Sequence, residues 1–188
     1  IGRKVLSYRA PAFSIGESNK WMFEILAGEG IKNDSSVFPA DRDFGGFPAF
    51  SSQTPCTIKY AGIELKEYPI SMTSFMGKQL AYSGGGYFRF FPLGFVKGHM
   101  EKCEYTMCYF HINDLLPEKR GVKSREEFEA YYKEPGTLKN RYARYIKTNR
   151  GKKGAWSKLE KLIRQMGFDN IEHANQTIDW NSAPIVIL

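Results

Sequence analysis

RKVLSYRAPAFSIGESNKWMFEILAGEGIKNDSSVFP, residues 3–39, decides the fold class. Residues 3–8 read as a short strand that runs into a turn at Arg9–Ala10–Pro11. A helix follows over "SNKWMFEILAGEG", with Ser18 as its N-cap. Trp21, Ile25 and Leu26 fall on one face, and Gly28 or Gly30 ends it. "IKNDSSVFP" is then a second strand, closed by Pro39. Strand, helix and strand in this order make a βαβ unit, so the expected class is α/β with parallel neighbours.

Downstream, residues 40–58 are rich in Gly, Pro, Phe and Ser and read as a long irregular loop. "IELKEYPIS" is a strand. "AYSGGGYFRFFP" is a glycine turn before an aromatic run, and "FVKGHMEKC" is weakly helical. "EYTMCYFHI" reads as a strong strand ending at His111, with "NDLLPEKRG" as a loop after it. The last third is helical. "SREEFEAYYKE" has Ser124 and Glu127 in a capping-box pattern. "LKNRYARYIKTN" is basic, with Tyr142, Tyr145 and Ile146 on a face. "AWSKLEKLIRQMGF" spaces Trp156, Leu159, Leu162, Ile163 and Met166 as a helix and stops at Gly167. "APIVIL" is an apolar terminal strand.

A chain of 188 residues, 42% apolar and 15% aromatic, can bury a sizeable core, and its length fits one domain over 1–188. This composition excludes a disordered segment. No apolar run approaches a membrane span, and no signal-peptide pattern is visible. Three cysteines without regular spacing, Cys56, Cys103 and Cys108, argue against a disulfide framework and for a reducing compartment. The net charge is +7. From Lys139 to Arg164 there are ten Lys or Arg and one acidic residue, Glu160. Such a stretch can meet nucleic-acid phosphates or an anionic membrane, or it is simply a solvated helix face.

Arg9, Asp34 and His111 all fall at the C-terminal ends of expected parallel strands, the edge where α/β sites form. Each also has a structural reading: a surface ion pair, a turn cap with Ser35 and Ser36, a core histidine. Together they make chemical sense. A histidine paired with an aspartate serves as a general acid, and an arginine orients a carboxylate base through two hydrogen bonds. His99, His111 and His173 lack any HxxxH or HExxH spacing. Cys103, Cys108 and His111 cannot all point one way along a strand, so no metal site is expected within the chain. "SGGGYF" lacks the GxxxxGK[ST] pattern and a following helix start, so it is not a phosphate loop. Gly85 and Gly86 are there to turn the backbone or to let it approach a ligand.

"YRAPAFSI", "WMFEILAGEGIKNDSSVFP", "KEYPIS", "SGGGYFRFFP" and "CYFHINDLLP", in this order, resemble the C-terminal portion of a polysaccharide deacetylase. The likeness is to the NodB-homology, carbohydrate esterase family 4 group, in its branch associated with polysaccharide biosynthesis. The resemblance implies the C-terminal part of a distorted (β/α) barrel with a helix-rich end. It implies metal-dependent hydrolytic removal of acetyl groups, N-acetyl in preference to O-acetyl, from a sugar polymer or its precursor. Arg9 and Pro11 match the motif whose arginine orients the catalytic base, with Phe13 at the aromatic place. Asp34 matches the aspartate that tunes the general acid, and His111 matches that acid. Phe13, Tyr87, Gly85 and Gly86 are the expected substrate-binding positions.

The family's paired aspartates and metal-binding histidines are expected upstream of Ile1. The divalent metal, zinc in this group, is therefore expected to be bound there and not by this chain, which alone should be inactive. After His111, Ile112–Asn113–Asp114 departs from the Pro-Trp-Glu of many relatives, which bears on groove shape. The implied partner is a carbohydrate and the implied location the bacterial cytoplasm. Two other function classes compete: a catalytically silent glycan-binding module using Tyr87, Phe88, Phe90 and Phe13, and nucleic-acid binding through the basic helices.

Overall fold

The computed structural model describes residues 2–42, 45–75 and 77–188. Its first half contains β1 (Ser7–Tyr8), α1 (Met22–Gly28), β2 (Asn33–Asp34), β3 (Cys56–Tyr60), β4 (Ile63–Glu67), β5 (Thr73–Phe75) and β6 (Lys78–Leu80). The second half contains α2 (Gly85–Phe90), α3 (Leu93–Met100), α4 (Ile112–Leu115), α5 (Arg125–Tyr132), α6 (Leu138–Asn149), α7 (Lys152–Met166), α8 (Ile171–Thr177) and β7 (Ile185–Ile187). The architecture is mixed α/β. Two compact units emerge from the packing: Ile1–Ala81 with Met100–Cys108 and Phe168–Leu188, and Tyr82–His99 with Tyr109–Gly167.

The first unit is built on a five-stranded sheet in the order β1-β2-β4-β3-β7. Among the described residues this sheet is open, with β1 and β7 at its edges. The βαβ reading holds: β1 pairs parallel with β2, and β2 parallel with β4. β3 and β4 form an antiparallel hairpin, and β7 joins β3 in parallel. Register places Tyr8, Asp34, Glu67 and Cys56 in one row across four strands. The core holds Ile15, Phe23, Leu26, Val37, Phe47, Phe50, Ile58, Leu65 and Val186. A separate antiparallel pair, β5 and β6, completes the strands.

The strand over residues 3–8 is shorter than expected, confined to Ser7–Tyr8. Ser18 does not cap α1. Residues Glu17–Asn19 form a 3-10 turn instead, because the Asn19 side chain accepts from Gly16 N–H at 2.7 Å and donates to Ser14 O at 2.8 Å. The turn rotates the helix, so Phe23 and Leu26 enter the core while Trp21 and Ile25 lie exposed.

The second unit is helical. The glycine stretch does open a helix, contrary to expectation: Gly84 is the extended N-cap of α2. Gly85 adopts φ +55° and donates its N–H to Tyr109 O at 3.1 Å. A Cβ on Gly84 would meet Tyr109 O at 2.5 Å, so these glycines let two backbone segments touch. "EYTMCYFHI" is not a strand. Its polar groups meet partners distant in sequence: Tyr105 Oη donates to Pro69 O at 2.7 Å, and Met107 N–H to Ser71 Oγ at 2.8 Å. Only Tyr109 forms a β-bridge, parallel to Gly84. α5, α6 and α7 stand where the periodicity put them. Ser124 and Glu127 cap α5 reciprocally. Phe128, Ala155 and Leu162 supply buried apolar contacts.

Candidate functional site

β1 delivers Arg9 to the carboxyl end of the sheet, where β2 ends in Asp34–Ser35–Ser36. The Arg9 guanidinium donates from Nε to Ser35 O at 3.0 Å and from Nη2 to Ser35 Oγ at 2.7 Å. Ser35 Oγ in turn donates to Tyr68 O at 2.9 Å, tying the arginine to the end of β4. The loop after Arg9 is strained, with Ala12 and Phe13 at φ +57° and +54°. Phe13 is buried against Phe38, with the Arg9 and Arg42 guanidinium groups over its ring at 5.7 and 5.1 Å. It backs the arginine rather than facing solvent.

Asp34 is fully buried. Its Oδ1 accepts from Ser36 Oγ at 2.6 Å and its Oδ2 from Ser36 N–H at 3.3 Å, while Ser36 Oγ also accepts from Ala10 N–H. Cross-strand register sets Glu67 beside it, also fully buried. Glu67 Oε1 accepts from Val37 N–H at 3.0 Å, and Oε2 has no hydrogen-bond partner among the described residues. Burial pushes the Glu67 carboxyl well above its ordinary range, and the Asp34 charge pushes it further. Burial also raises Asp34, with hydrogen bonds from Glu67 and Ser36 opposing. Both carboxyls, side by side and buried, are therefore pushed toward the protonated form, Glu67 the more strongly. Cys56, the next residue in the row, is raised to about 12 by burial and by Glu67, so it is an inert thiol.

The second unit holds His111, which is exposed at the N-cap of α4. Its N–H donates to Asp114 Oδ2 at 3.1 Å. Asp114 Oδ1 lies 3.4 Å from Arg89 Nε, an ion pair whose alignment falls short of a hydrogen bond. Arg89 also donates to Thr148 O and Lys147 O, pinning α2 to the end of α6. Phe88 meets Phe110 edge-on at 4.8 Å. The glycine helix therefore lies beside the segment carrying His111. Gly85 is buried, while Gly86 and Tyr87 are exposed.

The structure thus gathers Arg9, Phe13 and Asp34 in the first unit, and Gly85, Gly86, Tyr87 and His111 in the second. Glu67, Arg89 and Asp114 were missed, whereas the turn of Asp34 with Ser36 was read from the sequence and is present. Glu67 had a signal: it follows Ile63 and Leu65 in period-two alternation, so a carboxyl occupies a core position. Arg89 and Asp114 had none, because their partners are distant in sequence. Among the described residues no three His, Cys, Asp or Glu side chains converge as metal ligands, so these residues do not fit a metal centre. No curated protein matches the chain, and no solved structure does. A family model described as "Domain of unknown function (DUF3473)" matches residues 35–176. That span takes in Glu67, Gly85, Gly86, Tyr87 and His111, with Arg9, Phe13 and Asp34 ahead of it. Matched over most of its length, the chain belongs to the DUF3473 family.

Proposed function

We propose that the chain is the C-terminal part of a polysaccharide deacetylase domain that hydrolyses N-acetyl groups on a sugar polymer or its precursor. The observation that carries this reading is the meeting of Arg9 and the Asp34 loop at the carboxyl edge of two parallel strands, with the guanidinium locked on Ser35. In this reading Arg9 orients a carboxylate base, and His111 protonates the leaving amine as the acetyl C–N bond breaks. The base and the metal ligands of this reading would lie in residues outside this chain. Tyr87 offers a flat face to a sugar ring.

The test is acetate release from an acetylated oligosaccharide by the full-length protein. Arg9→Ala is expected to lower kcat with KM nearly unchanged, because it misplaces the base and leaves substrate contacts intact. A rise in KM alone would remove this role. A second reading, a silent glycan-binding module, draws on Tyr87 and Phe90, both exposed and three residues apart on α2. Glycan binding by a protein without acetate release, lost in Tyr87→Ala, would favour it.

A further inference from the structure

Helix α6 is built inside out. Its inward side carries, beside half-buried Tyr145, polar residues held by specific bonds. Asn149 is buried, with its side chain bonding both Arg120 N–H and Arg120 O at 2.8 and 2.9 Å. Arg141 Nε donates to Lys123 O at 2.7 Å, and Arg144 pairs with Glu134 at 2.7 Å. The outward residues are apolar. Leu138, Tyr142 and Ile146 recur every four residues and are 66%, 53% and 55% exposed. Beside this stripe stand exposed Lys139 and Lys147, with exposed Ala143 between them. Exposed Arg150 ends the row, its guanidinium 4.4 Å from the ring of half-exposed Phe90. The next helix adds exposed Trp156 and Ile163 with Lys153, Lys161 and Arg164. No acidic residue occurs from Lys139 until Glu160.

We propose that this face of α6 docks on an anionic lipid bilayer, lying in the headgroup region with Leu138, Tyr142 and Ile146 inserted. An apolar stripe bordered by lysines, with aromatic residues at its margin, is the pattern of an interfacial helix. The charge selects the partner: three cations beside the stripe and none opposed along the helix match an anionic surface. The chemistry also favours lipid over nucleic acid. Arg141 and Arg144, the guanidinium groups best suited to grip phosphates, are turned inward and engaged. The outward stripe carries aliphatic Leu138 and Ile146, which gain more from acyl chains than from a sugar-phosphate backbone. Among the described residues no helix is long and apolar enough to cross a membrane, so the attachment is peripheral. This inference is independent of the deacetylase reading.

Flotation of the 188-residue chain with vesicles tests it. Binding is expected to phosphatidylcholine vesicles containing phosphatidylglycerol, with much weaker binding to pure phosphatidylcholine. Raised salt should weaken it. Tyr142→Glu with Ile146→Glu is expected to abolish binding, and Lys139→Glu with Lys147→Glu to weaken it about tenfold or more. These positions are exposed, and circular dichroism of each variant confirms that it is folded. Failure of the folded wild-type chain to float with anionic vesicles overturns the proposal. So does binding unchanged by the Tyr142→Glu, Ile146→Glu pair, which would leave charge alone as the cause. Sedimentation without vesicles supplies another refutation: a dimer dispersed by the same pair would assign the stripe to a second copy.

Discussion

Glu67 and Asp34 place two carboxyl groups side by side in a fully buried row of the sheet. A carboxyl whose folded pKa is raised binds its proton more tightly folded than unfolded. Its contribution to stability is therefore complete below the unfolded value, 4.5 for glutamate, and is lost as pH rises through the folded value. Urea unfolding between about pH 4.5 and 8 should show stability falling with pH. Glu67→Gln should flatten that profile, since the amide cannot titrate and its oxygen can still accept from Val37 N–H. Parallel profiles for the two proteins would contradict a raised Glu67 carboxyl. Glu67→Ala leaves Val37 N–H unpaired and a cavity behind, and is expected to cost about 2–4 kcal/mol. Nearby, the Tyr68 hydroxyl is buried with no hydrogen-bond partner among the described residues. Tyr68→Phe removes an unsatisfied group and should be neutral or stabilising by up to about 1 kcal/mol in thermal unfolding. A loss above about 1 kcal/mol would reveal a partner for that hydroxyl.

At the scale of elements, local patterns were legible where the chain's own bonds decide. The α5 capping box, the α7 stop at Gly167 and the parallel pairing of β1 with β2 all read directly from residue type and spacing. Two elements were misread because distant partners decide them. Apolar alternation over residues 104–111 suggests a strand, but Ser71 and Pro69 take its hydrogen bonds. Three glycines suggest a turn, yet they start α2 because Tyr109 must pass close by. That close approach is testable. In Gly84→Ala the new Cβ would lie 2.5 Å from Tyr109 O, backbone that cannot swing away. We expect a loss of about 1–3 kcal/mol, the usual range for overpacking, whereas Gly94→Ala, in open space on α3, should stabilise by up to about 1 kcal/mol. Equal effects at the two glycines would argue against the contact.

For the whole molecule, composition and the opening βαβ unit led to the α/β class, and the packing of two units appears only in three dimensions. The candidate residues were legible as strand-end polar groups, and Arg9 and Asp34 do share one sheet edge. His111 was assigned to a strand and instead occupies the N-cap position of α4, its N–H held by Asp114. Its partner network through Asp114 and Arg89 depends on helix packing that no local spacing encodes. The excess of positive charge, +7 overall, is likewise plain in the sequence, but the outward apolar stripe beside it is visible only once α6 is oriented.

The role proposed for His111 is that of general acid in a deacetylase. The most direct measurement is the turnover of acetate release by the full-length protein on an acetylated oligosaccharide, for wild type and His111→Ala, with circular dichroism confirming that both fold. A positioned acid contributes about 10²–10⁴-fold, so His111→Ala should fall by that factor. Wild-type turnover in His111→Ala, or a folded full-length protein that releases no acetate, would contradict the account.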